Sequence, residues 1–316
     1  MADIIAFPGP HSDLFADYIR FKRSLGYAIA DSYQYVLREI ARCIISREPD
    51  PEIVSAATAE ELTARRPHES TSTQCKRITI VRQFCLWLAS TGYSPTIPAQ
   101  GLVRDTTEFV PRIVSESEMA RIITIADRDE PHQRRLLLRL LWCCGMRIGE
   151  ACRLAVSDID PSAGTILIAH AKGDRTRLVP MSASLADYVG TYLDWTNSTG
   201  AEGSARPLMP TRNNTFPRSG QAGTALSRIF ARAGVLTSQG RSIRPHDLRH
   251  SYAVHALENM VETGMDVYAT LPLLAAFMGH ADITSTEYYL RFTQDTLCRI
   301  VDAQQPTSHR VFKGQS

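Results

Sequence analysis

Apolar residues recur along this chain at helical spacing, separated by short polar breaks. Leu14, Phe15, Tyr18, Ile19 and Leu25 follow Ser12, a suitable N-cap, and Gly26 ends the run. A second helix is predicted over about residues 32–46, with Tyr35, Val36, Ile40, Cys43 and Ile44 inward. Residues 58–61 open a short third helix that ends before Pro67. A fourth, over about 70–93, carries Ile78, Val81, Phe84, Cys85 and Leu88, with Lys76, Arg77 and Arg82 on its more polar side. Four helices with short breaks and no strand signal describe a small bundle.

Residues 94–114 hold Pro95, Pro98, Pro111 and Gly101 without periodicity, which reads as a linker. The expected division is a helical domain at 1–100, a linker at 101–114 and a second domain at 115–316. Ser115 and Glu118 form a capping box, and helices follow to about 127 and over 133–143. The latter is so apolar (Leu136, Leu137, Leu138, Leu140, Leu141, Trp142) that it belongs inside. Gly145 breaks it and Arg147 opens the next turn, three residues before an ion-pair partner in Glu150. Residues 165–168 and 177–180 are β-rich and flank Lys172-Gly173-Asp174-Arg175, the pattern of a hairpin with a lysine near its tip. Helices at about 184–196 and 221–234 precede Arg241, Arg244 and the polar run His246-Asp247-Leu248-Arg249-His250. The whole reads as mainly α with a small β-sheet, an α+β fold.

Composition changes this picture little. The 316 residues carry a net charge of +2, and residues 1–110 hold 12 Lys/Arg against 13 Asp/Glu. Bulk charge therefore does not argue for nucleic acid; a DNA surface must come from basic side chains gathered on one face. Seven cysteines, an odd number with a vicinal pair at Cys143-Cys144, show neither zinc nor redox spacing. They fit a reducing compartment, hence the cytoplasm. No apolar run approaches the ~20 residues of a membrane span, and the start lacks a basic, signal-like segment.

The chemistry concentrates late in the chain. Arginine presents a planar fork that matches phosphate oxygens, histidine moves protons near neutrality, and an activated tyrosine is a covalent nucleophile. Arg147, Arg249, His246, His280 and the adjacent Tyr288 and Tyr289 supply all three. Successive tyrosines point about 100° apart on a helix, so one of the two faces the arginines. His246 and His250 stand at the i, i+4 spacing of a zinc-protease helix, but Asp247 occupies the place of the required glutamate. Arg249 would repel a cation there and no third ligand is evident, so neither a metal nor another cofactor is expected. His250 and His255 read as packed or capping residues.

His246-x-x-Arg249, Gly279-His280 and Tyr289 resemble the second half of the tyrosine recombinase (phage integrase) signature. Gly145-Met146-Arg147-Ile148-Gly149-Glu150 and Lys172, followed by Val179-Pro180, resemble the first half. The resemblance implies a helical core-binding (SAM-like) domain and a tyrosine-recombinase catalytic domain, clamped around DNA. It implies that Arg147 and Arg249 hold the scissile phosphate, with Tyr289 rather than Tyr288 as nucleophile. Lys172 would be the acid for the leaving oxygen, with His246 and His280 on the phosphate and Glu150 balancing charge. Lys76, Arg77, Arg82, Arg241 and Arg244 are candidate DNA contacts. The implied partner is double-stranded DNA bearing a specific recombination site, bound by a homotetramer on paired sites at the nucleoid; a need for accessory proteins stays open. The segment between Arg249 and Gly279 exceeds that of the shortest family members, with the surplus at 258–271, which points to a mobile-element branch. Three other classes stay open. A type IB topoisomerase would relax supercoils without exchange between sites. A non-catalytic DNA-binding protein of this fold would normally lack some of the six residues, and a metallohydrolase would fail with chelator.

Overall fold

Buried apolar stripes set the first helices, and serine caps start two of them. The computed structural model describes residues 4–46, 53–105, 111–169, 176–198 and 203–279. The chain divides into two units, Met1–Phe109 and Val110–Ser316. The first holds α1 (Ser12–Ser24), α2 (Asp31–Ile45), α3 (Ala56–Thr63) and α4 (Thr71–Ser90). Ser55 and Ser70 each accept the backbone N–H three residues on, which starts α3 and α4. Phe15, Leu37, Ile40, Phe84 and Leu88 are fully buried together, and the Phe15 and Phe84 rings stack at 4.7 Å. Each such side chain contributes about 2 kcal/mol on leaving water.

Several sequence expectations shift here. Ser12 is the first residue of α1, not its cap; His11 takes the cap position. Tyr35 points outward at 56% exposure and Leu25 at 58%, while Gln34 and Leu37 take the inner positions of α2. The larger correction is Arg77. It is 3% exposed, its Nε donates to Glu69 Oε1 at 3.0 Å and its Nη2 to Glu69 Oε2 at 2.7 Å. Its Nη2 also reaches the Ala64 carbonyl at 2.9 Å, and its Nη1 the Leu62 carbonyl. Arg77 thus closes the end of α3 onto α4 and has no face for DNA. Arg82, half-buried, donates to the Pro98 carbonyl, and Lys76 is exposed.

The second unit is built around a central apolar helix. The Ser115–Glu118 capping box forms as expected and starts α5 (Glu116–Asp129). Next comes α6 (His132–Cys144), with Leu136, Leu137, Leu138, Leu140 and Leu141 buried; it packs against α5. A one-turn α7 (Ile148–Ala151) leads to β1 (Ile159–Asp160), β2 (Thr165–Ile168) and β3 (Arg177–Pro180), antiparallel in that order. Ile166 pairs with Val179, and both face the core. Four helices complete the described unit: α8 (Ala183–Ser198), α9 (Ser219–Arg232), α10 (Pro245–Glu262) and α11 (Val267–Met278). The 258–271 segment is the end of α10, a turn at Gly264 and the start of α11. No helix among the described residues is long and apolar enough to cross a membrane.

The burial of Arg77 sets a stability test. Arg77→Ala removes the guanidinium from Glu69 and the donors from the Leu62 and Ala64 carbonyls, and should destabilise the first unit by about 3 kcal/mol. Lys76→Ala, one residue away but exposed, should stay within about 0.5 kcal/mol. Chemical denaturation of both variants checks this, and equal midpoints would contradict the structural role given to Arg77.

Candidate active site

Two helix ends meet at the centre of the site. α6 closes at Gly145 in the left-handed region (φ 56°), where a β-carbon would sit 2.5 Å from the Tyr252 ring of α10. α11 closes at Met278 and leaves its last carbonyls without helical partners. Arginines from three elements take three consecutive carbonyls at that end. Arg177 of β3 donates Nε to Phe277 O at 2.9 Å, Arg249 of α10 donates Nη2 to Met278 O, and Arg147 donates Nη2 to Gly279 O at 2.9 Å. Arg249 also donates Nη1 to Gly145 O at 2.6 Å, so one guanidinium joins the C-terminal ends of α6 and α11. Carbonyl dipoles at helix C-termini favour cations there.

Glu150 is the counterweight. Its side chain is 2% exposed; Oε1 accepts Arg147 Nη1 at 2.9 Å and Oε2 accepts Arg177 Nη2 at 2.8 Å. The Arg147 backbone N–H adds a third bond, at 3.1 Å to Oε2. Burial opposes ionisation, yet Arg177 and then Arg147 hold the carboxyl at about 2. Arg147 keeps 27% of its side chain exposed, whereas Arg249 is 1% exposed.

His246 stands at the start of α10, its ring edge-on to His250 at 4.5 Å between centroids. Burial lowers its pKa, and the charges of Arg249, Arg147 and Arg244 add to the shift, against Asp247. The imidazole is therefore neutral at pH 7 and able to accept a proton. Asp247 is buried and ties down the turn: its Oδ2 accepts the Arg244 backbone N–H at 2.7 Å, and its backbone O accepts Ser251 Oγ at 2.7 Å. His255 is a packed residue, with Nε2 2.8 Å from Val114 O and its ring edge-on to Trp142.

Of the residues singled out from sequence, Arg147, Glu150, His246 and Arg249 come together, while Lys172, His280, Tyr288 and Tyr289 lie outside the described residues. Arg244 is mostly exposed and pairs with Asp247, and Arg241 is exposed with its guanidinium on Gln239. Sequence reasoning missed Arg177. The available signal was the strand's period of two, which puts Arg177 on the inward face with buried Val179. A charged residue there requires a buried partner.

The phage integrase family model matches residues 112–295. A putative integrase/recombinase of Sinorhizobium fredii is 30% identical over 290 residues, spanning 89% of this chain and 91% of that protein. Tyrosine recombinase XerC of Xylella fastidiosa is 28% identical, over 92% of this chain and 90% of its own. Among solved structures, XerH recombinase bound to palindromic difH substrate aligns with a TM-score of 0.64 at 19% identity, covering 88% of this chain and 78% of that one. The Tn1549 transposon integrase in complex with transposon right end DNA aligns at 0.63 and 18%, covering 88% and 93%. Both share the mainly helical fold.

The depressed pKa of Glu150 gives a signed pH dependence. Folding moves it from 4.5 to about 2, so its contribution is complete above pH 4.5 and is lost as the pH falls through 2. The full effect is on the order of 3 kcal/mol. Glu150→Gln lacks it, so the stability gap between parent and variant should narrow between pH ~5 and ~2. Denaturant titrations across that window check the point, and a constant gap would contradict it.

Proposed function

This chain belongs to the phage integrase family, the tyrosine recombinases, and from that premise we propose that it cuts and rejoins DNA at a specific site through a 3′-phosphotyrosyl intermediate. One observation carries the reading: Arg147 and Arg249 converge at the C-terminal end of α11, beside the neutral ring of His246 and directly before His280 in sequence. In this reading, the non-bridging phosphate oxygens accept hydrogen bonds from the guanidiniums of Arg147 and Arg249. Arginine's planar fork matches phosphate oxygens and can bind them in bidentate fashion, which adds geometric specificity to the charge attraction.

The chemistry then needs a nucleophile, a base and an acid. Tyr289 Oη bonds to phosphorus while the bond to the 5′ oxygen breaks. The tyrosine proton goes to His246, and Lys172 delivers a proton to the leaving 5′ oxygen. The two arginines stabilise the charge that builds on the non-bridging oxygens, with His280 as a further donor. The phosphotyrosyl ester keeps the energy of the diester, and attack by a 5′-hydroxyl reverses the step, so no cofactor enters. The partner is double-stranded DNA carrying a recombination site, with a homotetramer joining two sites. Mobile-element integration or excision fits the transposon integrase among the structural relatives.

Two experiments test this. A free tyrosine has a pKa of about 10, so it attacks only where a base and cations activate it. Tyr289→Phe removes one oxygen, so DNA binding should survive while the covalent protein–DNA adduct disappears; Tyr288→Phe should still form it. An adduct from Tyr289→Phe would reject that residue as nucleophile. For Lys172→Ala, cleavage of ordinary DNA should fall steeply, while DNA with a 5′-bridging sulfur, which leaves without a proton, should be cleaved nearly as well as by the parent. Equal defects on both substrates would remove Lys172 from the acid role.

A further inference from the structure

We propose that Arg177 is a positioning residue for strand cleavage, which registers the β2–β3 hairpin against both the Arg147–Glu150 turn and the C-terminal end of α11. This rests on the recombinase reading above. All three guanidinium nitrogens of Arg177 are engaged: Nη2 on Glu150 Oε2 at 2.8 Å, Nη1 on Oε1 at 3.3 Å and Nε on Phe277 O at 2.9 Å. Its side chain is 11% exposed, and its fork is occupied by protein partners. β3 has a fixed register, Ile168 opposite Arg177 and Ile166 opposite Val179. The guanidinium therefore transmits the position of the hairpin to its two partners. Lys172 precedes Arg177 by five residues in the same hairpin connection, and His280 follows Phe277 by three.

Charge neutralisation alone does not account for this arrangement. Arg147 already binds Glu150 through its side chain and its backbone N–H. Arg177 does more than Arg147 to keep that carboxyl ionised, but a charge alone would do this without a bond to a second element. The Nε bond to Phe277 O points to geometry, because only a planar fork can grip a carboxylate and a carbonyl on another element together. A lysine could keep the charge but not the double grip. Gly279 agrees: a β-carbon there would lie 2.6 Å from Arg177 Nη1, so α11 ends with its backbone against this guanidinium.

The test is single-turnover cleavage of a suicide DNA substrate at saturating protein, with DNA affinity and thermal unfolding measured on the same preparations. Arg177→Met should form adduct about 10²-fold more slowly, the scale of a small misplacement of reacting groups, with DNA affinity unchanged. Arg177→Lys, expected to stay folded because it keeps a cation for Glu150, should remain slow. Guanidinium at millimolar concentration should restore part of the rate to Arg177→Met and leave the parent unaffected. Glu150→Gln should cost less in the Arg177→Met background than alone, since the two side chains act together. Parent-like rates in either folded variant would overturn the proposal, as would rates that fall only in step with DNA affinity or unfolding temperature. If the parent itself forms no adduct, the recombinase reading fails and this inference falls with it; a parent that cleaves beside variants equally fast removes this inference alone.

Discussion

The constraint on which the site depends is the C-terminal end of α11. A helix leaves its last carbonyls unsatisfied, and buried carbonyls must find donors. Here Phe277, Met278 and Gly279 find arginines from β3, α10 and the N-cap of α7 in turn. Three separate elements are thereby held to one short stretch of backbone. The arrangement also solves the opposite problem, since guanidiniums held this far from water need negative partners. Two helix C-termini and the Glu150 carboxylate supply them.

The charge balance of this cluster follows from its parts. Among the described residues, Arg147 and Arg177 share the carboxylate of Glu150, and carbonyls at two helix ends accept from Arg147, Arg177 and Arg249. An excess of positive charge suits an anionic ligand, such as the singly charged phosphate diester of the proposed reaction. Burial first, and then this excess, keeps His246 neutral, because protonating it would add a further cation beside Arg249 and Arg147. One electrostatic arrangement thus favours anion binding and keeps the histidine unprotonated before an anion enters.

Much of this was legible in sequence, for physical reasons that can be named. The Ser115–Glu118 box and the hairpin strands are local signals, decided within a few residues, and both appear as expected. Arg147 and Glu150 share one helical turn, so their pairing also follows from spacing. The misses are side chains whose fate depends on distant partners. Arg77 reads as a polar face until α3 brings the carbonyls of Leu62 and Ala64 against it. Tyr35 and Leu25 look inward by type, but the stripe that meets the bundle core passes through Gln34 and Leu37. Arg177 is hidden for the same reason, since its partners lie 27 and 100 residues away.

Gly279 shows how local and distant demands meet at one position. Its φ of 68° is the left-handed turn that ends a helix, which explains a glycine on local grounds. A non-glycine residue could bear that conformation at a modest cost, as asparagine often does. The distant demand is stricter, because any β-carbon would press into the Arg177 guanidinium, which Glu150 and Phe277 O hold in place. Relief would require Arg177 to let go of one partner. The glycine before His280 therefore belongs to the arginine network as much as to the helix end.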